Sequence, residues 1–154
     1  MIARKLHSKA ELRACLEISK STSLNYTVPE FGVDWATVST SLSKLSSGPF
    51  FRVIEYNGEI VGWISASLST PAYYSNKTAL QLVYYHCTLK GYAAVAALKI
   101  AHRSMIDAAR KLIGVSIVIT SPCPHTPKCF NKILKDDGWT DYTYMLLVDI
   151  SKNT

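Results

Sequence analysis

The sequence predicts an α/β fold built on one mixed sheet, and three observations predict it. Two strand-like runs meet at Asn57-Gly58. An apolar run, "TALQLVYYHC" at 78–87, leads through Lys90-Gly91 into a long alanine-rich helix. A second apolar run, "VSIVIT" at 115–120, follows that helix. Asn-Gly is a preferred two-residue hairpin turn because both positions must accept positive φ. A strand–helix–strand unit sets its two strands parallel in a right-handed crossover. A hairpin joined to such a unit gives a sheet with both kinds of pairing.

The elements follow in order. Met1 to Leu6 reads as a short first strand. Ser8 and Glu11 form a capping box, and Leu12, Cys15, Leu16 and Ser19 recur at helical spacing, so the first helix covers 9–19. A polar loop with Pro29 and Gly32 follows. Asp34 caps a second helix whose one face carries Trp35, Val38, Leu42 and Leu45; "SSGP" ends it. Phe51, Val53 and Tyr56 belong to the second strand and Ile60 to Ser69 to the third. "TPAYYSNK" is a loop. The run 78–87 alternates little, as expected of a strand buried on both faces. The third helix, 91–112, puts Leu98, Ala101, Met105, Ala109 and Leu112 on one side and Lys99, Arg103, Asp107, Arg110 and Lys111 on much of the other. Gly114 stops it. Pro127 to Lys135 reads as a fourth helix, and "WTDYTYMLLVDI" as the last strand. The order is β-α-α-β-β-β-α-β-α-β, about six strands and four helices in one domain, 1–154.

Composition bounds the function. The chain has 154 residues, 48% of them hydrophobic, enough to bury a core of its own. A net charge of +6 suits anionic partners such as nucleotides, CoA, nucleic acid or an acidic protein face, or serves solubility alone. No RNA- or DNA-binding motif is present, so nucleic acid is not the expected partner. The apolar runs fall well short of the ~20 residues that cross a bilayer. "MIARKLHSKAELRAC" lacks the apolar stretch of a secretion signal, so the expected location is cytoplasmic; Asn25 and Asn76 then carry no weight as glycosylation sites. The four cysteines form no CxxC pair. Cys123, His125 and Cys129 in "CPHTPKC" could hold a metal with Cys87 or His86 as fourth ligand. Their spacing matches no recognised site, and the expectation is reduced structural thiols and no metal.

Three stretches resemble the GCN5-related N-acetyltransferase (GNAT) family, in order and over nearly the whole chain. "RVIEYNGEIVGWISASLS" resembles its second and third strands. "YYHCTLKGYAAVAALKIAHRSMIDAARKLIGV" resembles its cofactor motif of strand, basic-Gly loop and helix. "KCFNKILKDDGWTDYTYMLLVD" resembles its last helix, Gly-aromatic turn and final strand. The N-terminal part and the long strand-linking loop are similar to acetyltransferase-like proteins carried by bacteriophages.

The resemblance implies acetyl-CoA as co-substrate and an acetyl group moved to a primary amine, of a small molecule or of a protein lysine or N-terminus. It places the CoA pyrophosphate on the backbone of Lys90, Gly91, Tyr92, Ala93, Ala94 and Val95, where orphan N–H groups and the helix dipole favour an anion. Ala93 and Val95 stand where the family usually has glycines. The family's proton donor to the departing thiolate, a Tyr on the last helix, falls near Leu134, with Phe130 a turn earlier, and neither can donate. Tyr84, Tyr85 or Tyr92 could substitute as the acid. His86 is the candidate base, because an imidazole titrates near neutrality. Backbone N–H groups at the splay between the two parallel strands would polarise the thioester carbonyl. Each of these side chains also has a plain structural reading, the tyrosines as packing residues and His86 as a hydrogen-bonded strand-end residue. The loops 21–33 and 70–77 would shape the acceptor site, and Tyr73-Tyr74 could serve an interface. The alternative function is a non-catalytic member of the fold, a binding or structural component of a phage or host assembly.

Overall fold

The computed structural model describes residues 1–22, 32–69, 78–112, 115–120, 135, 140–142 and 145–149. Its elements are β1 (Ile2–Arg4), α1 (Lys9–Thr22), α2 (Trp35–Ser46), β2 (Phe51–Tyr56), β3 (Glu59–Ser69), β4 (Thr78–Cys87), α3 (Gly91–Arg110), β5 (Val115–Thr120), β6 (Thr140–Tyr142) and β7 (Met145–Asp149). One sheet holds all seven strands in the order β1-β2-β3-β4-β5-β7-β6. The first four form an antiparallel meander, β4 and β5 run parallel, and β7 and β6 return antiparallel.

The count differs from the six strands and four helices expected. Among the described residues there are seven strands and three helices. The segment read as a single last strand reverses between Tyr142 and Met145, which are paired with each other. Its halves differ in chemistry: the apolar "MLLVD" pairs with β5, and the polar "TDY" covers its outer edge. The helix expected over 127–135 lies outside the described residues apart from Lys135. So do Cys123, His125 and Cys129, the two glycosylation-like asparagines, Tyr73, Tyr74 and Gly114. Among the described residues no group of three or more His, Cys, Asp or Glu could hold a metal, and no helix is long and apolar enough to cross a membrane.

Local chemistry fixes the boundaries. At the start of α1, Glu11 N–H donates to Ser8 Oγ at 3.2 Å. The Glu11 carboxylate accepts from the His7 N–H at 2.7 Å, one residue earlier than a capping box requires. It also pairs with Arg4 at 2.8 Å, and Arg4 pairs with Glu55 at 2.7 Å, so one guanidinium ties α1 to β1 and β2. The helix runs past residue 19 because the Ser21 and Thr22 hydroxyls donate to the Ile18 carbonyl at 2.9 and 2.8 Å. Asp34 caps α2, accepting from Ala36 N–H at 3.0 Å and from the Thr37 hydroxyl at 2.6 Å. Asn57 (φ 52°) and Gly58 (φ 83°) make the hairpin turn.

Two cores flank the sheet. Ile54, Ile64, Leu80 and Leu82 meet Ala97, Leu98, Ala101, Met105 and Ala109 of α3 on one face. Leu112, expected on the same stripe, lies past the helix end and is exposed. On the other face Phe51, Val53 and Trp63 meet Cys15, Ile18 and Leu42 of α1 and α2. At Gly62, an added Cβ would lie 2.5 Å from the His86 carbonyl oxygen, so only glycine lets β3 approach β4 there.

The β3–β4 ladder has one irregularity. Ser65 pairs with Tyr84 and Ala66 with Leu82, leaving Val83 as an extra residue in β4. An extra residue reverses side-chain parity. Leu80 and Leu82 therefore face α3, whereas Tyr84 and His86 face α1 and α2, where both rings meet Trp63.

Candidate active site

The site has three parts arranged about β4. The first is the N-terminus of α3. Lys90 precedes the helix in extended conformation (φ −124°, ψ 165°) and makes no side-chain capping bond. No acidic residue occupies the first turn. Gly91 has φ +58°, and a Cβ built there meets nothing within 4 Å. Tyr92 is 95% exposed. Ala93, Ala94 and Val95 are half-buried. The helix start thus combines orphan N–H groups, a positive dipole end and a neighbouring lysine, an arrangement suited to an anion.

The second is the C-terminal end of β4. The described β4–β5 pairing ends with Leu82 opposite Thr120, while β4 runs on to Cys87. The Thr88 N–H donates to the Val61 carbonyl at 2.9 Å. Counting back along that antiparallel ladder, Tyr84 and His86 turn their backbone groups to β3, and Tyr85 and Cys87 turn theirs to the β5 side. Those groups line the edge of β4 that faces away from β3.

The third is a cavity of about 270 Å³ on the face away from α3. Its floor is the sheet at Trp63, Tyr84 and His86; its wall is the face of α2 bearing Trp35, Val38, Leu42 and Leu45. Ser19, Thr37 and Ser41 add hydroxyls. Leu42 is buried, but Trp35 and Val38 are only half-buried. His86 stacks on Trp63 with ring centroids 4.7 Å apart, and Trp63 Nε1–H donates to Cys15 O and Ser19 Oγ, each at 3.1 Å.

His86 is buried, and burial pushes its pKa down from 6.5 to about 4, because a charged imidazole loses its hydration there. The ring is neutral at physiological pH. Its Nδ1 lies 2.6 Å from Thr22 Oγ1, whose single proton goes to Ile18 O at 2.8 Å. That order assigns the ring proton to Nδ1 and leaves the lone pair on Nε2. Burial likewise raises the Cys87 thiol pKa and pushes Cys15 up to about 12, so neither is a ready nucleophile.

The structure brings Tyr84 and His86 together at the cavity. It puts Tyr85 on the opposite face, where its hydroxyl reaches the Ala94 carbonyl at 3.5 Å and links β4 to the first turn of α3. Lys90, Gly91, Tyr92, Ala93, Ala94 and Val95 fall together at that turn. Leu134 and Phe130 lie outside the described residues. Sequence reasoning missed Trp63, Trp35 and Thr22. Trp63 could have been found from the alternation in β3, which puts it on the face carrying a Ser at 65; nothing marked Thr22 as a partner of His86, 64 residues away.

No protein-family model matches the sequence, and no curated protein matches it. Solved structures do. An aminoglycoside 6'-acetyltransferase type Ii superimposes with a TM-score of 0.66 at 11% identity, covering 97% of this chain and 97% of that one. The protein yncA of Salmonella typhimurium, described as an acetyltransferase and solved with its cofactor acetyl-CoA, gives 0.68 at 15% identity, covering 97% and 94%. A ribosomal-protein-alanine N-acetyltransferase from Brucella melitensis gives 0.59 at 15%, covering 96% and 97%. These likenesses support the fold and not the phage-borne subtype. The mixed seven-stranded sheet, the bulged β4 and the start of α3 belong to a chain with the GNAT acetyltransferase fold.

Proposed function

We propose that the protein is an N-acetyltransferase that uses acetyl-CoA and a primary amine. One observation carries the reading: the start of α3 and the outer edge of β4 lie at the end of a strand whose opposite face holds a cavity with His86, so an anion cradle, a carbonyl-binding edge and an amine site adjoin one strand. The fit to CoA rests on Gly91, whose positive φ and empty Cβ position let a diphosphate approach, and on Lys90 beside it. Acetyl-CoA, when bound, supplies the acyl thioester. Tyr85 braces the first turn of α3 against β4, and the β4 edge presents backbone N–H groups to a carbonyl.

The amine nitrogen forms a C–N bond to the acyl carbon as the C–S bond breaks, and the proton it loses equals the one the thiolate gains. His86, in the lining of the cavity, is the residue placed to orient that nitrogen, directly or through a water. Tyr84, 47% exposed and lining the cavity with His86, is the candidate acid. A base whose pKa is near 4 removes a proton weakly, so its main work is to orient the neutral amine.

The second reading, a non-catalytic binding or structural protein of this fold, is favoured by Ala93 and Val95, whose side chains narrow the cradle. Titration with acetyl-CoA and an assay of free CoA release against a panel of amines separate the two. Saturable binding with amine-dependent release supports the transferase; absence of both supports the second reading.

A further inference from the structure

Resting on the transferase reading, we infer that the acceptor is a small amine with an apolar, aromatic body, not a polycation. The cavity beside His86 has walls of Trp35, Trp63, Val38 and Leu42, and the described residues lining it include no carboxylate. A polycationic acceptor, such as an aminoglycoside or a polyamine, needs acidic partners for the ammonium groups that do not react. This cavity offers hydroxyls and aromatic faces instead. Aromatic faces hold one ammonium or its uncharged amine and cover an apolar body without a charge partner. At about 270 Å³ the space falls just below the roughly 300–1,000 Å³ of drug-sized ligand sites, so it takes one ring and a short chain.

The α2 face explains why the space is there. Trp35, Val38, Leu42 and Leu45 form an apolar stripe, yet only its C-terminal half packs into the core with Phe51 and Trp63. The first half leaves two apolar side chains half-open above a stacked Trp–His pair. Apolar surface turned toward a buried imidazole suits a ligand that is apolar everywhere except at its nitrogen. The nitrogen then meets His86, loses one proton on acylation and keeps no second charge to solvate.

The test uses the full chain with phenethylamine, spermidine and kanamycin as probes. Binding is followed by tryptophan fluorescence and calorimetry, and turnover by CoA release from acetyl-CoA. Phenethylamine is expected to bind saturably and to show kcat/KM at least about tenfold above the other two. Ser41→Phe, at an exposed position lining the cavity, should lower phenethylamine binding about tenfold with acetyl-CoA binding unchanged. Val38→Asp should narrow the preference for phenethylamine over spermidine. If spermidine or kanamycin is preferred while acetyl-CoA binds, the inference fails and the transferase reading stands. If acetyl-CoA neither binds nor turns over but phenethylamine still binds in a Ser41→Phe-sensitive way, the transferase reading fails and the ligand class stands. Phenethylamine binding that Ser41→Phe leaves unchanged overturns the inference.

Discussion

His86 shows how little of a residue's role its type reveals. An imidazole near neutrality is the ordinary expectation for a base, but burial against Trp63 holds this one near pKa 4. Above pH 5 it does not titrate, so any acid limb in the rate profile comes from the acceptor amine. Replacing one amine acceptor by another of lower pKa should move that limb down with it; a fixed limb near 6.5 for all acceptors would contradict the assignment. His86→Ala should lower kcat by about 10²-fold with acetyl-CoA affinity intact, read by steady-state kinetics and calorimetry. The same shift bears on stability. The folded pKa lies below the ordinary 6.5, so the contribution is complete above 6.5 and is lost as pH falls toward 4. Glu11, held near pKa 2 by its hydrogen bonds to Arg4 and the His7 N–H, contributes fully above 4.5 and loses that contribution as pH falls toward 2. Urea unfolding from pH 8 to 2.5 should therefore show two declines. His86→Gln should remove the upper one. Glu11→Gln should remove the lower one and cost about 1 kcal/mol at neutral pH, a partly exposed pair's worth.

At the scale of elements, the critical joints are glycines and a bulge. Gly62 lets β3 approach β4 where a Cβ would lie 2.5 Å from His86 O, so Gly62→Ala must move β4 itself. We expect a loss of about 1–3 kcal/mol, seen as a lower melting temperature, together with slower turnover because His86 rides on that strand. Much of the element pattern was legible in the sequence. Asn57-Gly58, the strand–helix–strand unit and the Asp34 cap are local signals, and each appears where its residues placed it. The Val83 bulge was not legible, because an extra residue in a ladder depends on a partner strand. Its consequence was lost with it: Tyr84 and Tyr85, adjacent in sequence, serve opposite faces. The cavity was hidden for a similar reason. A stripe of Trp35, Val38, Leu42 and Leu45 reads as core, and only its burial in the fold shows that Trp35 and Val38 are half-buried and line a cavity.

Across the whole molecule, one sheet divides two tasks. In the proposed function the α3 side presents backbone N–H groups and a helix dipole to an anion, the α1 and α2 side an aromatic cavity to an amine, and β4 lies between them. The account stands or falls on the first task. Gly91→Val should test it in the helix itself: a branched residue at φ +58° costs about 1–2 kcal/mol and fills the open space, so stability and acetyl-CoA binding should drop together. Lys90→Glu, at an exposed residue, should change binding alone. The most direct measurement is calorimetric titration of the wild-type protein and Lys90→Glu with acetyl-CoA. We predict one saturable site in the wild type, weakened about tenfold or more in Lys90→Glu at an unchanged melting temperature. No heat of binding in the wild type, or equal affinity in both, would contradict a diphosphate held at the start of α3.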